Sequence, residues 1–231
     1  MLLLWDIDGT LLTTARAGIY AWEGALHEVA GVRAELSGFD TAGHPDHLIA
    51  RRLLADVAGT EASEGALGHL VRCYEDLLPA ALSRRQGTVL PNVREILEHL
   101  EGSSAVRSML LTGNTRRGAA AKLVHYGLDR FFEDGAFSDA PCEREQIARA
   151  AMELAHASGW VAANGAVVVI GDTPHDVRCG RVAGAHTLAV ATGTYSVEEL
   201  RRHRPWRVLP ALPPPPEFLR LLSEAEVPSG V

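Results

Sequence analysis

Three short stretches of this sequence concentrate the residue types that do chemistry. They are Asp6-Ile7-Asp8-Gly9-Thr10, Leu110-Leu111-Thr112-Gly113-Asn114-Thr115 and Ile170-Gly171-Asp172-Thr173-Pro174-His175-Asp176. Each closes an apolar run. Alternate residues of a strand share a face, so Asp6 and Asp8 lie on one side and Ile7 on the other, and Gly9 permits a sharp exit. Thr112 and Gly113, placed just ahead of a helix, offer a hydroxyl, an approachable backbone N–H and the partial positive charge of a helix N-terminus. Together these make a seat for an anion such as a phosphate group. Asn114 and Thr115 also suit N-capping, which draws on different donors. The third stretch brings Asp172 and Asp176. Four aspartates meeting in one crevice repel one another at neutral pH unless a cation lies among them. A hard, oxygen-preferring divalent ion is implied, and Mg2+ suits best because it takes few carboxylates, keeps water and leaves a position for a substrate oxygen. Asp176 equally suits capping of the helix that begins near Pro174.

Groups so distant in the chain converge only if strand ends are brought side by side. The apolar runs 2–5, 106–111, 166–170 and 187–190 lack polar alternation, as buried parallel strands do. Helical periodicity separates them at 93–100, 116–126, 143–157 and 175–182, with stops at Gly127 and near Gly184. The pattern predicts an α/β fold: a Rossmann-like parallel sheet flanked by helices, with ligands bound beyond the carboxyl ends of the strands. Between the first strand and Pro91 the texture changes, since 18–29, 45–57 and 62–82 all read helical with no strand-like run among them. The expected organisation is a core from residues 1–14 and 88–231 with an inserted all-helical domain at 15–87. In the tail, 213–216 is four consecutive prolines and predicts a polyproline II spacer before an amphipathic segment, 217–222, that packs back on the core.

Composition narrows the partners. With 231 residues, 47% of them hydrophobic, the chain has material for a substantial core. The formal charge of −7 predicts repulsion of a nucleic-acid backbone or an anionic membrane. Cys73, Cys142 and Cys179 are widely separated and lack C-x-x-C spacing, which argues against a disulfide framework or a zinc site and fits a reducing cytoplasm. No apolar stretch approaches the roughly 18 residues that cross a bilayer, and the N-terminus has neither the basic region nor the cleavage site of a signal peptide. His44 and His47 stand at helical spacing with Asp46 between them, yet divalent sites usually need more ligands, so lining a loop that faces the core is the expected use. Tyr20, Trp22 and Leu26 share a helix face and predict the core of the insertion.

Taken in order, Asp6-x-Asp8-Gly9-Thr10, Thr112-Gly113-Asn114 and Gly171-Asp172-x-x-x-Asp176 resemble the haloacid dehalogenase-like hydrolase superfamily over nearly the whole chain. The helical insertion after the first motif resembles a type 1 helical cap. Gly43-His44-Pro45-Asp46 and Ala191-Thr192-Gly193-Thr194-Tyr195 are similar to the phosphoglycolate phosphatase-like branch. The resemblance implies Asp6 as the nucleophile that forms an aspartyl-phosphate and Asp8 as general acid and base. It implies Thr112, Gly113 and Asn114 as holders of phosphate oxygens, and Asp6, Asp8, Asp172 and Asp176 around Mg2+. Dehalogenating relatives lack an acid at the second position, so Asp8 favours phosphoryl transfer. The superfamily also places a Lys or Arg before the last motif strand, often as Lys-Pro. That pattern is absent, leaving Arg144 near the expected position and Lys122 as its competitor. The implied activity is Mg2+-dependent hydrolysis of a small-molecule phosphate ester, with a sugar-phosphate mutase or a low-turnover phosphometabolite-binding module as the other readings. Oligomeric state is left open.

Overall fold

The computed structural model describes residues 1–161 and 165–225. The chain opens with β1 (Leu2–Trp5), turns back through β2 (Leu12–Thr13), and enters the helices α1 (Ala17–Ala30), α2 (Asp46–Arg52) and α3 (Glu64–Ser83). It returns through β3 (Thr88–Val89) and runs α4 (Val93–Leu100), β4 (Arg107–Leu111), α5 (Arg116–Tyr126), β5 (Gly135–Ala136) and α6 (Arg144–Ala157). The last elements are β6 (Val167–Gly171), α7 (Pro174–Val182), β7 (His186–Val190), α8 (Val197–Arg202), β8 (Arg207–Leu209) and α9 (Pro215–Ala225). Six strands form one parallel sheet in the order β5-β4-β1-β6-β7-β8. From β1 the chain builds first to one side and then to the other, so β1 lies at the point where the strand order reverses, the usual location of a ligand crevice.

The alternation of each strand assigns its two faces. Leu3, Trp5, Leu110, Val168, Ile170, Leu188 and Val190 pack with Val93, Ile96 and Leu97 of α4, Leu123 of α5 and Phe218 of α9. Leu2, Leu4, Met109, Leu111, Val167 and Val169 face the opposite layer, where Ile147, Ala148 and Ala151 of α6 meet Cys179 of α7. Both faces are covered, which is why these strands read as unbroken apolar runs. The helices α1 to α3 share a third cluster of their own, including Trp22, Leu26, Ile49, Leu70 and Tyr74. The Trp22 and Tyr74 rings stack at 3.8 Å and 3°. Tyr20 departs from the expected helix face and is exposed, with Arg85 over its ring at 3.5 Å.

The main strands and helices fall within a residue or two of the expected bounds, and several short elements are additional. The strands β2 and β3 form an antiparallel ribbon where the helical insertion leaves and rejoins the sheet. The helix α2 widens into a π-helical turn over Leu53–Val57. The proline run is not a spacer: Pro215 and Pro216 open α9, where proline's fixed φ and missing N–H are tolerated in the first helical turn. That helix packs on the sheet, with Phe218 stacked 5.9 Å from Trp5. The acidic excess is uneven, since Arg201, Arg202, Arg204 and Arg207 cluster around α8 and β8, with Arg201 and Arg207 paired to Glu198 and Glu224. The three cysteines are free, and no helix of the described residues is long and apolar enough to cross a membrane.

Candidate active site

Because β1 pairs with β4 on one side and β6 on the other, residues just past the ends of these strands become neighbours. Adjacent strands lie about 4.8 Å apart, so side chains from all three reach a common centre. Asp6 follows β1, Thr112 follows β4 and Asp172 follows β6. One carboxylate oxygen from each of Asp6, Asp172 and Asp176 lies within 4.8 Å of the others, and all three residues are buried. Asp172 fits because Gly9 has no side chain. A Cβ there would overlap the Asp172 carboxylate, and the φ of +81° at Gly9 lies in the left-handed region that glycine tolerates.

A buried arginine partly balances this cluster. Arg144, in the first turn of α6 and 2% exposed, donates from Nη2 to Asp6 Oδ1 at 2.8 Å and to Asp176 Oδ1 at 2.6 Å. The other Asp176 oxygen accepts the Thr173 N–H at 3.0 Å and the Thr173 hydroxyl at 2.6 Å. Asp176 therefore caps α7 and anchors Arg144 at once, with both oxygens engaged. Asp172 Oδ1 accepts from the Thr10 hydroxyl at 3.3 Å. Burial pushes Asp6 up to about 6, against the pull of Arg144 and with further elevation from Asp176 and Asp8. Burial, then the negative charges of Asp6 and Asp176, holds Asp172 well above the usual carboxylate range. An all-oxygen set whose buried carboxylates resist ionisation fits a hard divalent cation, which would supply the missing positive charge.

Asp8 stands apart. Its side chain is 43% exposed, and its Oδ2 accepts from Lys122 Nζ at 2.6 Å and from Asn114 Nδ2 at 2.8 Å. Asn114 Nδ2 also donates to the Thr112 hydroxyl at 2.8 Å, and Asn114 Oδ1 accepts from Lys122 at 2.5 Å. The structure thus brings both candidate cations to the crevice, Arg144 on the Asp6 side and Lys122 on the Asp8 side. The helix rise alone sets Lys122 about 9 Å beyond the start of α5. Its side chain closes that gap, because helical side chains tilt towards the N-terminus and the lysine stem is long. Thr112, Gly113 and Asn114, the residues expected to seat a phosphate, line the same cavity, about 390 Å3, as Asp6, Asp8 and Asp172. Its far wall comes from the helical insertion, with Arg16, Ile19, Trp22, Ile49 and Tyr74.

The histidine pair does not converge. His47 Nδ1 lies 2.7 Å from the Ser138 carbonyl, whereas His44 precedes α2 and packs edge-on against His175 at 4.7 Å. Burial, reinforced by Arg178, lowers His175 to about 4, which favours a neutral ring. Asp46 escaped the sequence analysis as a site residue. It is 4% exposed, and its Oδ2 accepts the Thr115 N–H at the start of α5 at 2.8 Å. Burial raises it to about 7, although Lys122 and the Thr115 N–H pull the other way. Glu75 of α3 accepts from the Thr115 hydroxyl at 2.6 Å. Such contacts between distant segments leave no periodicity for a sequence to display. Thr10 lies inside the first motif, and Asp46 closes the Gly43-His44-Pro45-Asp46 stretch, so both stood in readable segments without a role assigned to them.

A parallel α/β sheet carrying a buried aspartate cluster, able to hold a divalent ion, and two basic side chains at its carboxyl edge defines a class of α/β protein with a charged crevice at the strand switch point. The family model of haloacid dehalogenase-like hydrolases matches residues 3–181, and the chain belongs to that family. No curated protein matches. Among solved structures, a predicted phosphatase from Clostridium acetobutylicum is similar with a TM-score of 0.72 and 19% identity, over 96% of this chain and 98% of that one. A predicted phosphoglycolate phosphatase from Haemophilus somnus 129pt has a TM-score of 0.72 and 18% identity, over 96% of each chain. A protein from Thermotoga maritima provisionally named a beta-phosphoglucomutase has a TM-score of 0.62 and 20% identity, over 96% and 98%. At these identities the likeness is one of fold.

Proposed function

We propose that this chain is a Mg2+-dependent phosphatase that hydrolyses a small phosphomonoester through an aspartyl-phosphate on Asp6. The observation that carries the reading is the Asp6 carboxylate, buried at the sheet edge with one oxygen tied to Arg144, in one cavity with Asp8, Asp172 and the Thr112–Asn114 loop. Asp6, Asp172 and the Asp8 backbone would hold the cation, with Asp176 supporting through Arg144, and the ion would supply positive charge against the phosphate.

The Asp6 oxygen that Arg144 does not hold attacks phosphorus in line. The phosphorus–ester oxygen bond breaks as the Asp6–phosphorus bond forms, and Asp8 gives its proton to the leaving alkoxide. In the second half Asp8 takes a proton from water, which attacks phosphorus, releases inorganic phosphate and restores Asp6. Thr112, the Gly113 and Asn114 N–H groups and Lys122 hold the remaining phosphate oxygens. Lys122 keeps Asp8 near the phosphate, and Arg144 keeps Asp6 from rotating away.

In this reading residues 15–87 are a helical cap over a core of 1–14 and 88–231. The cap excludes water during transfer and, through Ile19, Trp22, Ile49 and Arg16, selects the leaving group. The likeness to the Haemophilus somnus protein favours a phosphoglycolate phosphatase-like branch. The free cysteines suit a reducing compartment such as the cytoplasm. The test is phosphate release from an aryl phosphate and a panel of phosphorylated metabolites, with Mg2+ and with chelator. Asp6→Asn abolishes release in this reading, and full activity in that variant refutes it. The likeness to the Thermotoga maritima protein supports a second reading as a sugar-phosphate mutase. Isomerisation of a sugar phosphate without free phosphate would establish that alternative.

A further inference from the structure

We infer that Asp46, contributed by the helical insertion, is a positioning residue that orients the anion-binding loop Thr112–Thr115 of the sheet. The inference rests on the phosphate-binding role proposed for that loop and gives a role to a residue that lies outside the three strand-end motifs.

In a trans peptide the C=O of one residue and the N–H of the next point in opposite directions. The Asp46 N–H donates to the Gly113 carbonyl at 2.8 Å, which turns the Asn114 N–H to the opposite side, where it meets the Thr112 hydroxyl at 3.3 Å. The Asp46 carboxylate takes the Thr115 N–H at 2.8 Å, which turns the Asn114 carbonyl away, towards the Ser138 N–H at 2.9 Å. One residue therefore clamps two successive peptide planes. The Thr115 N–H, at the start of α5, is withdrawn from any anion, and the Asn114 N–H is kept beside the Thr112 hydroxyl on the loop that lines the cavity. The Gly113 N–H donates to no acceptor among the described residues. The fit is close: a Cβ on Gly113 would lie 2.7 Å from the His44 carbonyl, two residues before Asp46. The loop thus gains its donor geometry only with the insertion seated against it.

The experiment compares wild type with Asp46→Ala, Asp46→Ser and Asp46→Asn. Readouts are Thr115 amide exchange by NMR, inorganic phosphate affinity with Mg2+, and the separate kcat and KM. Alanine and serine cannot reach the Thr115 N–H, so its exchange quickens, and phosphate Kd and substrate KM rise about 10-fold or more while kcat stays within about 3-fold. Asparagine keeps an acceptor oxygen and restores both to within about 3-fold of wild type. Should Asp46→Ala not fold, Asp46→Ser carries the comparison. Unchanged Thr115 exchange, or a fall in kcat with phosphate affinity intact, overturns the inference. If wild type neither binds phosphate nor cleaves any ester, the proposed function fails instead, and Thr115 exchange still decides whether Asp46 holds the loop.

Discussion

Replacing Arg144 with leucine tests the electrostatics of the site most directly. The guanidinium is almost wholly buried and bridges two buried carboxylates, Asp6 at 2.8 Å and Asp176 at 2.6 Å. Leucine preserves much of the apolar stem but leaves both acids without their cation. Breaking a buried pair by removing one partner costs about 3–5 kcal/mol, because the remaining charge is uncompensated. For a chain of this size each kcal/mol shifts the melting temperature by about 2–4 °C, so the metal-free variant melts roughly 6–20 °C below wild type. The pH dependence has a definite sign. Asp6 is already raised to about 6 by burial with Arg144 present, and it rises further without it. The deficit is therefore full above neutral pH, where Asp6 must ionise, and shrinks as pH falls and Asp6 becomes protonated. The assay is thermal and urea denaturation of both proteins in chelator at pH 5 and pH 8. A contrast comes from Lys122→Met, whose partner Asp8 is 43% exposed and stays hydrated, so its cost is about 1 kcal/mol. A deficit for Arg144→Leu below about 1 kcal/mol at pH 8, or one that grows on acidification, refutes the reasoning.

Mg2+ at 100 times its Kd stabilises the fold by about 2.7 kcal/mol, seen as a rise in melting temperature that Asp172→Asn abolishes. A rise that survives in that variant places the ion elsewhere. Gly113→Ala puts a methyl group 2.7 Å from both Arg144 Nη1 and the His44 carbonyl, costing about 1–3 kcal/mol by denaturation. Gly65→Ala in α3, where a Cβ meets nothing within 4 Å, gains up to about 1 kcal/mol instead. Asp46, raised to about 7 by burial, keeps a proton in the folded state that the unfolded chain releases, so its contribution to stability falls as pH rises through roughly 4 to 7. Asp46→Asn removes that slope, and urea titrations of the two proteins at pH 5 and 8 should diverge by a few kcal/mol.

Much of the core was legible because its signals are local. The runs ending at Trp5, Leu111 and Ile170 lack polar alternation since both sheet faces are covered, and Gly127 marks the end of α5 with a φ of +62°. The short strands β2, β3 and β5, of two residues each, carry no periodicity to read. The prolines at 215 and 216 misled because proline is compatible with both an extended spacer and a first helical turn, and only packing of Phe218 on Trp5 selects the helix.

At the site, the chain order of Asp6, Thr112 and Asp172 on successive strand ends was enough to predict a shared crevice, since parallel strands bring equivalent ends together. Residue types likewise raised the expectation of an anion seat and of an oxygen-lined cation site. Which carboxylate meets which cation was decided by the tertiary structure. Lys122 reaches Asp8 by the tilt of a helical side chain, Arg144 spans Asp6 and Asp176 from another helix, and Asp46 clamps a loop far away in the chain. Each of these pairings depends on distances across the packed interface of separate elements, where an ångström alters a hydrogen bond, and sequence spacing encodes distance only along a single helix or strand.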